Sequence, residues 1–410
     1  MKYGLIGEHL GHSFSKIIHE MLSDNLYELH EIPREELDCF MRSKEFSGIN
    51  VTIPYKESVI PYLDSIDECA REIGAVNAIA NRGGRLYGYN TDFYGLRSLI
   101  IHSKIDISGK KVAILGSGGT SKTAMAVLNS LGASEILRIS RSAQEGALTY
   151  SELYENHTDT EIIVNTTPLG MFPNLDTVAV DITKFSALSG VIDVVYNPLR
   201  TRLVLESKAR GITAVGGLYM LVAQAVKASE IFLDKKYDEE LINNIYQKIK
   251  RDKENIVLIG MPASGKSTVG ALLAERTGRT LVDTDELIVR KAKMEIKEIF
   301  ARFGEAKFRE LESNIIKEIS SSSSLIIATG GGAILNAENV SALKNNGKIY
   351  FIDRPLEKLV PTDSRPLSSD KASIQKRYDE RYEIYCSSCD ERIDADCDAD
   401  TVAKKILENF

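Results

Sequence analysis

Short runs of branched apolar residues alternate along the chain with longer segments in which apolar positions recur every three or four residues. The runs lie in the first half at 111–116, 134–140, 161–167 and 190–196, and in the second half at 255–260, 324–330 and 348–353. Strands that alternate with helices in this way are typical of α/β proteins with parallel sheets. The pattern therefore predicts an α/β fold in both halves.

Two of the predicted strands lead directly into glycine-rich turns. Gly116, Gly118 and Gly119 follow one strand, and Gly260 and Gly265 follow the other. A glycine-rich turn between a strand and a helix brings backbone N–H groups close to a phosphate, and the helix dipole favours negative charge there. We therefore expect two nucleotide sites in two separate sheets.

The segment that joins the two halves, residues 237–255, has the spacing of a surface helix. Its apolar residues recur at helical intervals among charged ones and are Leu241, Ile242, Ile245, Tyr246 and Ile249. Residues 250–255 remain as a short linker without a Gly/Ser or Pro run. Each half is thus expected to be a complete folding unit.

Composition and charge narrow the class of protein. The 410 residues are 43% apolar and 27% charged, which is ordinary for two or three globular domains. The net charge of -7 and the pI near 5.6 argue against a general nucleic-acid or anionic-membrane binder, because either partner calls for a basic surface. Neither a leader peptide nor an apolar stretch of membrane-spanning length is evident, so we expect a cytoplasmic protein.

The cysteines are few and odd in number, five in all, which does not suggest a disulfide framework. Cys386 and Cys389 form a C-x-x-C pair. A zinc or redox role stays open as an alternative, but no further ligand cluster is visible in the sequence. Packed thiols are therefore favoured.

The first glycine-rich turn has features of a dinucleotide site and consists of Gly116, Ser117, Gly118 and Gly119. Ser121 replaces the third glycine of G-x-G-x-x-G, so this motif alone leaves a structural turn as an alternative. The next strand ends without the acidic residue that binds the ribose of NAD, and carries instead Ser140, Arg141 and Ser142. A guanidinium between hydroxyls suits a 2′-phosphate, which predicts NADP. The alternative is that Arg141 is only a solvated surface residue.

The residues before 100 contain hydroxyls, amides and one lysine in four turn-like segments, HSFS (12–15), NVTIPYK (50–56), GAVNAI (74–79) and YNTD (89–92). Three further motifs follow in order, NTTPLGM (165–171), DVVYNPLRTRL (193–203) and GLYMLVAQA (217–225). Together with the glycine-rich turn and the Ser-Arg-Ser segment, this order resembles the shikimate dehydrogenase family over residues 1–250.

That resemblance implies a substrate site and a catalytic pair. The residues expected to bind the hydroxyls and the carboxylate of the substrate are Ser13, Ser15, Thr52, Asn77, Asp92 and Gln224. Lys56 and Asp92 are expected to form the catalytic pair. When hydride reaches the carbonyl carbon of 3-dehydroshikimate, the developing alkoxide needs a positive donor that also supplies a proton, and a lysine oriented by an aspartate meets both needs. Lys16 and Glu20 depart from the residues usual in the family, but neither is a reacting group.

The second glycine-rich turn fits the phosphate-binding loop G-x-x-x-x-G-K-[ST]. The expected ATP-binding residues are Gly260, Ala263, Ser264, Gly265, Lys266, Ser267 and Thr268. Lys266 is expected to neutralise charge on the β- and γ-phosphates and Ser267 to ligate Mg²⁺. The sequence therefore predicts phosphoryl transfer from ATP.

The residues after this loop indicate the acceptor. They include two aspartates at a strand end, arginines on two helices and in an R-P-L segment, and a triple glycine, namely Asp283, Asp285, Arg309, Gly330, Gly331, Gly332, Arg365 and Arg381. This set resembles the shikimate kinase family over residues 255–410. An attacking alcohol needs a carboxylate within hydrogen-bond reach, and a transferring phosphoryl group needs cations.

The second resemblance implies a role for each of these residues. Arg309 and Arg381 are expected to bind the shikimate carboxylate, and Asp285 to accept the proton of the attacking hydroxyl. The triple glycine lets the ring approach the backbone. Asp283 is expected to help hold Mg²⁺ and Arg365 to reach the transferring phosphate. Taken singly, Arg381 also fits a solvated helix residue and Arg365 a loop charge.

The two resemblances together imply an N-terminal α/β substrate domain at 1–95, completed by helices at about 217–250, and a Rossmann-type NADP-binding domain at 96–216. A linker at 250–255 and a P-loop kinase domain at 255–410 follow. The expected function is reduction of 3-dehydroshikimate followed by phosphorylation of shikimate, with NADPH, ATP and Mg²⁺. Two alternatives are a quinate-type dehydrogenase joined to a kinase for another small acid, and a catalytically silent nucleotide-binding module in one half. The carboxylate-binding arginines and the complete set of reacting groups argue against both.

Overall fold

The computed structural model describes residues 2–10, 14–142, 145–359 and 371–410. The chain divides into two compact units, Met1–Lys248 and Ile249–Phe410. Two predicted site residues, Ser13 and Arg365, lie outside the described residues. Within those residues, no helix combines the length and the apolar character needed to cross a membrane.

The first unit begins with a six-stranded mixed sheet. Its strands are β1 (Tyr3–Gly7), β2 (Tyr27–Glu31), β3 (Gly48–Val51), β4 (Ser65–Ile66), β5 (Ala78–Arg82) and β6 (Arg85–Tyr89), and its helices are α1 (Phe14–Leu22), α2 (Leu37–Ser43), α3 (Glu68–Ile73) and α4 (Thr91–Ser103). The strand order is β2-β1-β3-β5-β6-β4. β1 pairs in parallel with β2 and β3, and Leu5 lies opposite Leu29 and Asn50, whereas β5 is antiparallel to both neighbours.

A second six-stranded sheet follows in the same unit, and all its strands are parallel. They are β7 (Lys111–Leu115), β8 (Glu135–Ser140), β9 (Leu148–Thr149), β10 (Ile162–Asn165), β11 (Gly190–Asp193) and β12 (Thr213–Val215). The helices between them are α5 (Gly119–Ser130), α6 (Tyr150–Asn156) and α7 (Arg202–Ala209). The order β12-β11-β10-β7-β8-β9 reverses direction between β7 and β10, which creates a crevice at their carboxyl ends.

Two helices complete the first unit, α8 (Leu218–Leu233) and the first part of α9 (Glu239–Lys253). α8 packs against α4 and α1 and so returns to the first sheet. α9 is helical through residues 250–253, which the sequence analysis assigned to the linker. Basic residues in its last turn, Lys250, Arg251 and Lys253, favour this extension because they complement the helix dipole.

The second unit is built on one parallel sheet of five strands in the order β14-β15-β13-β16-β17. The strands are β13 (Asn255–Ile259), β14 (Thr280–Asp283), β15 (Leu325–Ala328), β16 (Gly347–Asp353) and β17 (Glu391–Asp394). The helices are α10 (Lys266–Thr277), α11 (Thr284–Ala292), α12 (Ile296–Ser320), α13 (Ala337–Asn346), α14 (Lys371–Ser388) and α15 (Ala399–Glu408). The predicted α/β fold, with a separate parallel sheet after each glycine-rich turn's strand, is confirmed.

Candidate active sites

The first unit contains a cavity of about 410 Å³, in which residues of both sheets meet. Six of the predicted residues line it, namely Ser15, Thr52, Lys56, Asn77, Asp92 and Gln224. They come from α1, from the segment after β3, from the position just before β5, and from α4 and α8. Residues separated by more than a hundred positions in sequence thus face one polar space.

Lys56 and Asp92 form a close ion pair inside this cavity. Lys56 Nζ donates to Asp92 Oδ2 over 2.6 Å, and the side chains are only 20% and 13% exposed. Asp92 lies in the first turn of α4, where the helix dipole favours a carboxylate, and Asn90 caps that helix by accepting from the N–H of Phe93. The carboxylate therefore holds the ammonium in a defined direction at the cavity wall.

An amide and hydroxyl network fixes the neighbouring polar side chains. Asn77 Oδ1 accepts from the Thr91 backbone N–H over 2.6 Å, and Asn77 Nδ2 donates to Thr91 Oγ1 over 3.1 Å. Thr91 Oγ1 donates to Gln224 Oε1 over 3.3 Å, and Gln224 Nε2 donates to the Leu221 carbonyl over 2.9 Å. The network joins β5, α4 and α8, so it orients Asn77 and Gln224 before any ligand binds.

Further side chains that sequence reasoning did not select support the network from behind. Asn50 Nδ2 donates to the Asn77 carbonyl over 3.3 Å, and the Tyr27 hydroxyl donates to Asn50 Oδ1 over 2.8 Å. His19 stacks on Tyr27 with 4.0 Å between ring centroids, and burial lowers the pKa of His19 to about 3. His19 is therefore a neutral packing group. Asn50 and Thr91 were not selected from the sequence, although both lie within the motifs at 50–56 and 89–92.

The opposite wall of the cavity belongs to the parallel sheet and its loops. It contains Met171, Val194, Tyr196 and Gly217. Burial raises the pKa of Tyr196, whose ring lies 5.5 Å from that of Phe14. Gly217 has no room for a side chain, because an added Cβ would lie within 2.5 Å of the Val194 carbonyl carbon. The sequence analysis did not predict Tyr196 as a site residue, although it lies within the motif DVVYNPLRTRL at 193–203.

The predicted NADP residues meet at the crevice of the parallel sheet. Gly116 has φ +115°, and an added Cβ would lie 2.7 Å from Thr166 Oγ1. The Gly116 N–H donates to the Ile139 carbonyl over 2.8 Å, which brings Ser140, Arg141 and Ser142 beside the glycine turn. Ser140 is buried, whereas Arg141 and Ser142 are exposed. Ser117 follows Gly116 in the turn, and α5 begins at Gly119, so helix N–H groups point into the same crevice.

In the second unit, the phosphate loop connects β13 to α10, which begins at Lys266 and includes Ser267 and Thr268. Gly260, Ala263 and Gly265 all have positive φ. Lys266 Nζ donates to the carbonyls of Gly260 (2.9 Å) and Met261 (2.8 Å), and Ser264 is buried within the loop. Backbone carbonyls thus hold the lysine ammonium over the loop.

The hydroxyl of Ser267 meets the two predicted aspartates next to this loop. Ser267 Oγ donates to Asp283 Oδ2 over 2.8 Å, and Asp283 Oδ1 accepts from the Asp285 N–H over 2.9 Å as the cap of α11. An oxygen cluster of a hydroxyl and carboxylates is the donor set that Mg²⁺ prefers. Ser267 and Asp283 therefore fit the predicted metal role.

A cavity of about 780 Å³ adjoins these aspartates and is lined by the predicted acceptor residues Asp285, Arg309, Gly330, Gly331, Gly332 and Arg381. Its lining also includes the apolar side chains of Val289, Ile296 and Phe300. Arg381 Nη1 donates to the Gly331 carbonyl over 3.1 Å. An added Cβ at Gly332 would lie 2.7 Å from Arg309 Cζ, so only glycine lets that guanidinium approach the backbone.

Glu312 is a further residue of this cavity that sequence reasoning did not select. Its Oε2 accepts from Arg309 Nη1 over 2.8 Å, and the side chain is 1% exposed. Burial raises its pKa, and Arg309 acts in the opposite direction. The sequence offered one signal for Glu312: it lies three residues after Arg309, so the two side chains share a helix face.

Cys386 and Cys389 lie at the end of α14 and just after it, partly buried against the apolar core of the second unit. Cys389 Sγ donates to the Cys386 carbonyl over 3.4 Å. Among the described residues, no group of three or more His, Cys, Asp or Glu side chains is arranged to hold a metal ion.

Comparison with known proteins assigns the first unit. Residues 5–79 match the model of the shikimate dehydrogenase substrate binding domain. A protein of Clostridium perfringens called shikimate dehydrogenase (NADP(+)) is 39% identical over 266 residues, which cover 60% of this chain and 98% of that protein. A relative of the same description from Methanosphaera stadtmanae is 36% identical and covers 57% of this chain and 91% of its own length.

Solved structures give the same result for this part of the chain. A chorismate mutase/shikimate 5-dehydrogenase fusion protein from Clostridium acetobutylicum has a TM-score of 0.58 and 34% identity, covering 61% of this chain and 97% of that one. A shikimate 5-dehydrogenase of Thermus thermophilus, solved with NADP(H) and shikimate, has a TM-score of 0.54 and 26% identity, covering 60% and 99%.

The second unit matches a different family model. Residues 262–410 match the model of shikimate kinase. The match begins inside the phosphate loop and includes the carboxylates, arginines and glycines of the 780 Å³ cavity.

Proposed function

The chain belongs to the shikimate dehydrogenase family and carries a shikimate kinase domain, and from this premise we propose residue roles for two consecutive reactions. The first reaction reduces 3-dehydroshikimate to shikimate with NADPH, and the second phosphorylates shikimate with ATP and Mg²⁺. Because the product of the first reaction is the substrate of the second, the protein is a bifunctional enzyme of the shikimate pathway.

In the reductase site, Lys56 is the proton donor and Asp92 its orienting partner. NADPH, when bound, supplies the hydride. Lys56 Nζ then stabilises the oxygen of the reduced carbonyl and gives it a proton, while Asp92 keeps the ammonium directed into the cavity. The ion pair at 2.6 Å and its small exposure support this role. Ser13, Ser15, Thr52, Asn77 and Gln224 bind the hydroxyls and the carboxylate of the substrate.

The cofactor of this site is NADPH. Gly116, Ser117, Gly118 and Gly119 hold the pyrophosphate at the start of α5, where backbone N–H groups and the helix dipole favour an anion. Arg141, between Ser140 and Ser142, binds the 2′-phosphate. The exposure of Arg141 beside the glycine turn supports this assignment, because a guanidinium in this position meets no competing carboxylate in the described contacts.

In the kinase site, Asp285 accepts the proton of the attacking hydroxyl, and Arg309 and Arg381 bind the shikimate carboxylate. ATP, when bound with Mg²⁺, supplies the phosphoryl group. The phosphate loop from Gly260 to Thr268 holds the nucleotide, Lys266 neutralises its phosphates, and Ser267 and Asp283 support the metal. Arg365 contacts the transferring phosphate. The position of Asp285 next to the Arg309–Glu312 pair in one cavity supports these roles.

The observation that carries the proposal is the presence, in one chain, of a partly buried lysine–aspartate pair in one cavity and a phosphate loop beside a second. The purified chain, given 3-dehydroshikimate, NADPH and Mg-ATP, should oxidise NADPH and form ADP. Without NADPH, ADP should form only when shikimate itself is added. ADP that appears at full rate without either NADPH or shikimate would contradict the proposal.

A variant separates the two reactions in the same assay. Lys266→Met should abolish ADP formation, because the phosphates lose their cation, while NADPH oxidation continues and shikimate accumulates. Lys348→Met is the control. Lys348 Nζ lies 3.1 Å from Glu391 Oε2, and this ion pair is not part of the phosphate loop. Continued formation of shikimate 3-phosphate by the Lys266 variant would refute its role.

We further propose a cytoplasmic location. All five cysteines are unpaired thiols, as expected in a reducing compartment, and both reactions consume nucleotides of central metabolism. The proposed partners are small molecules, 3-dehydroshikimate and shikimate.

A further inference from the structure

A carboxylate that no step of the proposed mechanism uses lies behind one wall of the reductase cavity. Asp193 is the last residue of β11, and its side chain is completely buried. The next residue, Val194, already lines the cavity. A buried carboxylate is costly unless its oxygens are fully hydrogen-bonded, so its neighbours indicate what it does.

Three donors from different segments converge on this carboxylate. Asp193 Oδ1 accepts from Asn165 Nδ2 and from the Val195 N–H, each over 3.0 Å. Asp193 Oδ2 accepts from Thr201 Oγ1 over 2.6 Å. All three donors are uncharged, and burial accordingly raises the pKa of Asp193 to about 6. One side chain thus ties the end of β10, the segment after β11 and the cap of α7.

Asn165, the first of these donors, links Asp193 to one of the loops that line the cavity. Asn165 Oδ1 accepts from the Thr167 N–H over 3.0 Å and from Thr167 Oγ1 over 2.7 Å. Met171, at the end of the same loop, lines the cavity. Asp193 fixes the orientation of the Asn165 amide. Its carboxylate can only accept, so it must face the Nδ2 group of Asn165, and Oδ1 then faces Thr167.

The second and third donors fix the other cavity loop at both of its ends. The Val195 N–H binds Asp193 just before Tyr196, and Thr201 binds it just before α7. The Val195 carbonyl also accepts from the Gly217 N–H over 2.8 Å, at the start of α8. Tyr196 and Gly217 line the cavity. The loops that face Lys56 and Asp92 are therefore anchored to one buried group.

We propose that Asp193 is a positioning residue of the reductase site, which holds Met171 and Tyr196 in the places that reduction of 3-dehydroshikimate requires. The inference rests on the proposed function of the first unit. Asp193 acts through Asn165, Val195 and Thr201. A displacement of a wall by about 1 Å is sufficient to cost up to 10²-fold in rate.

Two substitutions at Asp193 separate its hydrogen bonds from its charge. Asp193→Leu leaves Asn165 and Val195 without an acceptor, and we expect kcat/KM for 3-dehydroshikimate to fall by about 10- to 100-fold. Asp193→Asn retains Oδ1 as the acceptor, and its amide donates to Thr201 Oγ1, so we expect it to stay within about threefold of the parent. Because Asp193 lies in the first unit, the melting temperature of that unit, followed by circular dichroism, reports whether each variant is folded.

A milder pair of variants keeps the test valid if Asp193→Leu does not fold. Thr201→Val removes only the donor to Asp193 Oδ2 and the cap of α7, and it should raise KM for 3-dehydroshikimate several-fold. Thr160→Val is the matched control, because Thr160 is equally buried but lies at the opposite end of β10 and donates only to the His157 carbonyl. It should leave KM unchanged.

The outcomes distinguish this inference from the proposed function. A parent chain that does not reduce 3-dehydroshikimate overturns the function itself. A parent that does so, with Asp193→Leu folded and equally active, overturns the positioning role. Equal losses of kcat/KM in Thr201→Val and Thr160→Val, in step with lower melting temperatures, show a purely structural group and also overturn it.

Discussion

At the scale of the residue, the ion pair of Lys56 and Asp92 has a close counterpart in the same unit. Lys110 Nζ lies 2.7 Å from Glu161 Oε1, and those side chains are 34% and 28% exposed. The two pairs have similar lengths, but only Lys56 faces the polar cavity. The geometry of a pair therefore does not identify a reacting group, whereas its surroundings do.

This contrast provides a test of Lys56. Lys56→Met should lower reductase kcat by roughly 10² to 10⁴, because the alkoxide loses its donor and its proton source. Lys110→Met should leave kcat unchanged, and neither variant should affect ADP formation from shikimate. NADPH oxidation measured in a spectrophotometer decides the matter, and near-parental kcat for Lys56→Met would rule out the assignment.

A second residue-scale prediction concerns the choice of cofactor. Arg141→Asp should weaken binding of NADPH far more than that of NADH, since a carboxylate repels the 2′-phosphate but binds a free ribose hydroxyl. Arg210→Asp makes the same charge change at another exposed position in this unit and should leave the preference unaltered. The ratio of kcat/KM for the two cofactors measures the effect. An unchanged ratio for Arg141→Asp means that Arg141 is only a surface residue.

Sequence reasoning selected the residues proposed to react, but it did not select the side chains that support them. Lys56, Asp92, Lys266 and Asp285 stood in motifs whose chemistry is specific. Asn50 begins one such motif and Glu312 follows Arg309 by three residues, but neither was selected, because a lone polar residue reads as solvent-exposed or as local structure. Only the fold shows that Glu312 is 1% exposed beside Arg309. The predicted substrate-site residues that the structure describes line two cavities, which agrees with their proposed roles, and these roles remain predictions.

At the scale of the element, the parallel strands were easy to predict and the mixed sheet was not. Strands buried on both faces form continuous apolar runs, as in β7, β10 and β13, and these runs lie within two residues of the observed bounds. β2 is an edge strand with only Tyr27 buried, and β4 has two residues, so neither leaves a clear pattern. Tertiary pairing, rather than local sequence, defines those strands.

The contact between α4 and α8 makes a prediction at this scale. Gly95 lies where an added Cβ would be 2.6 Å from the Met220 carbonyl oxygen and 2.9 Å from Gln224 Cβ. Gly95→Val should separate the helices, raise KM for 3-dehydroshikimate by moving Gln224, and destabilise the first unit by about 1–3 kcal/mol. Arg97→Val, on the exposed face of α4, is the control. Thermal unfolding and kinetics check both effects, and a parental melting temperature and KM for Gly95→Val would exclude this packing argument.

At the scale of the whole molecule, the second unit uses residues of the junction for its own fold. Asn255 Nδ2 donates to the Ser322 carbonyl over 2.9 Å, and Asn255 Oδ1 accepts from the Leu325 N–H over 2.8 Å. The Arg279 guanidinium donates to the carbonyls of Arg251 and Glu254. The residues from 251 to 255 therefore belong structurally to the second unit.

This arrangement predicts how the chain can be divided. Fragments 1–248 and 249–410 should each fold and keep activity within several-fold of the parent, because every proposed catalytic residue lies within one compact unit. Fragment 256–410 should be markedly less stable, since it lacks Asn255 and the contacts of Arg279. Circular dichroism and the two assays test this. If 249–410 is insoluble or inactive while the intact chain works, the independence of the units must be abandoned.

The acceptor cavity of the second unit also bears on inhibitor design. Arg309 and Arg381, which we propose bind the substrate carboxylate, share its lining with the apolar side chains of Val289, Ile296 and Phe300. At about 780 Å³ it is in the range of pockets that enclose drug-sized ligands, about 300–1,000 Å³. An inhibitor that presents a carboxylate to the arginines and extends a hydrophobic arm toward Phe300 would thus draw on two kinds of contact in one cavity. Under the proposed roles, a resistance substitution at Gly332 would also impair substrate binding, because an added Cβ would lie 2.7 Å from Arg309 Cζ and displace that guanidinium.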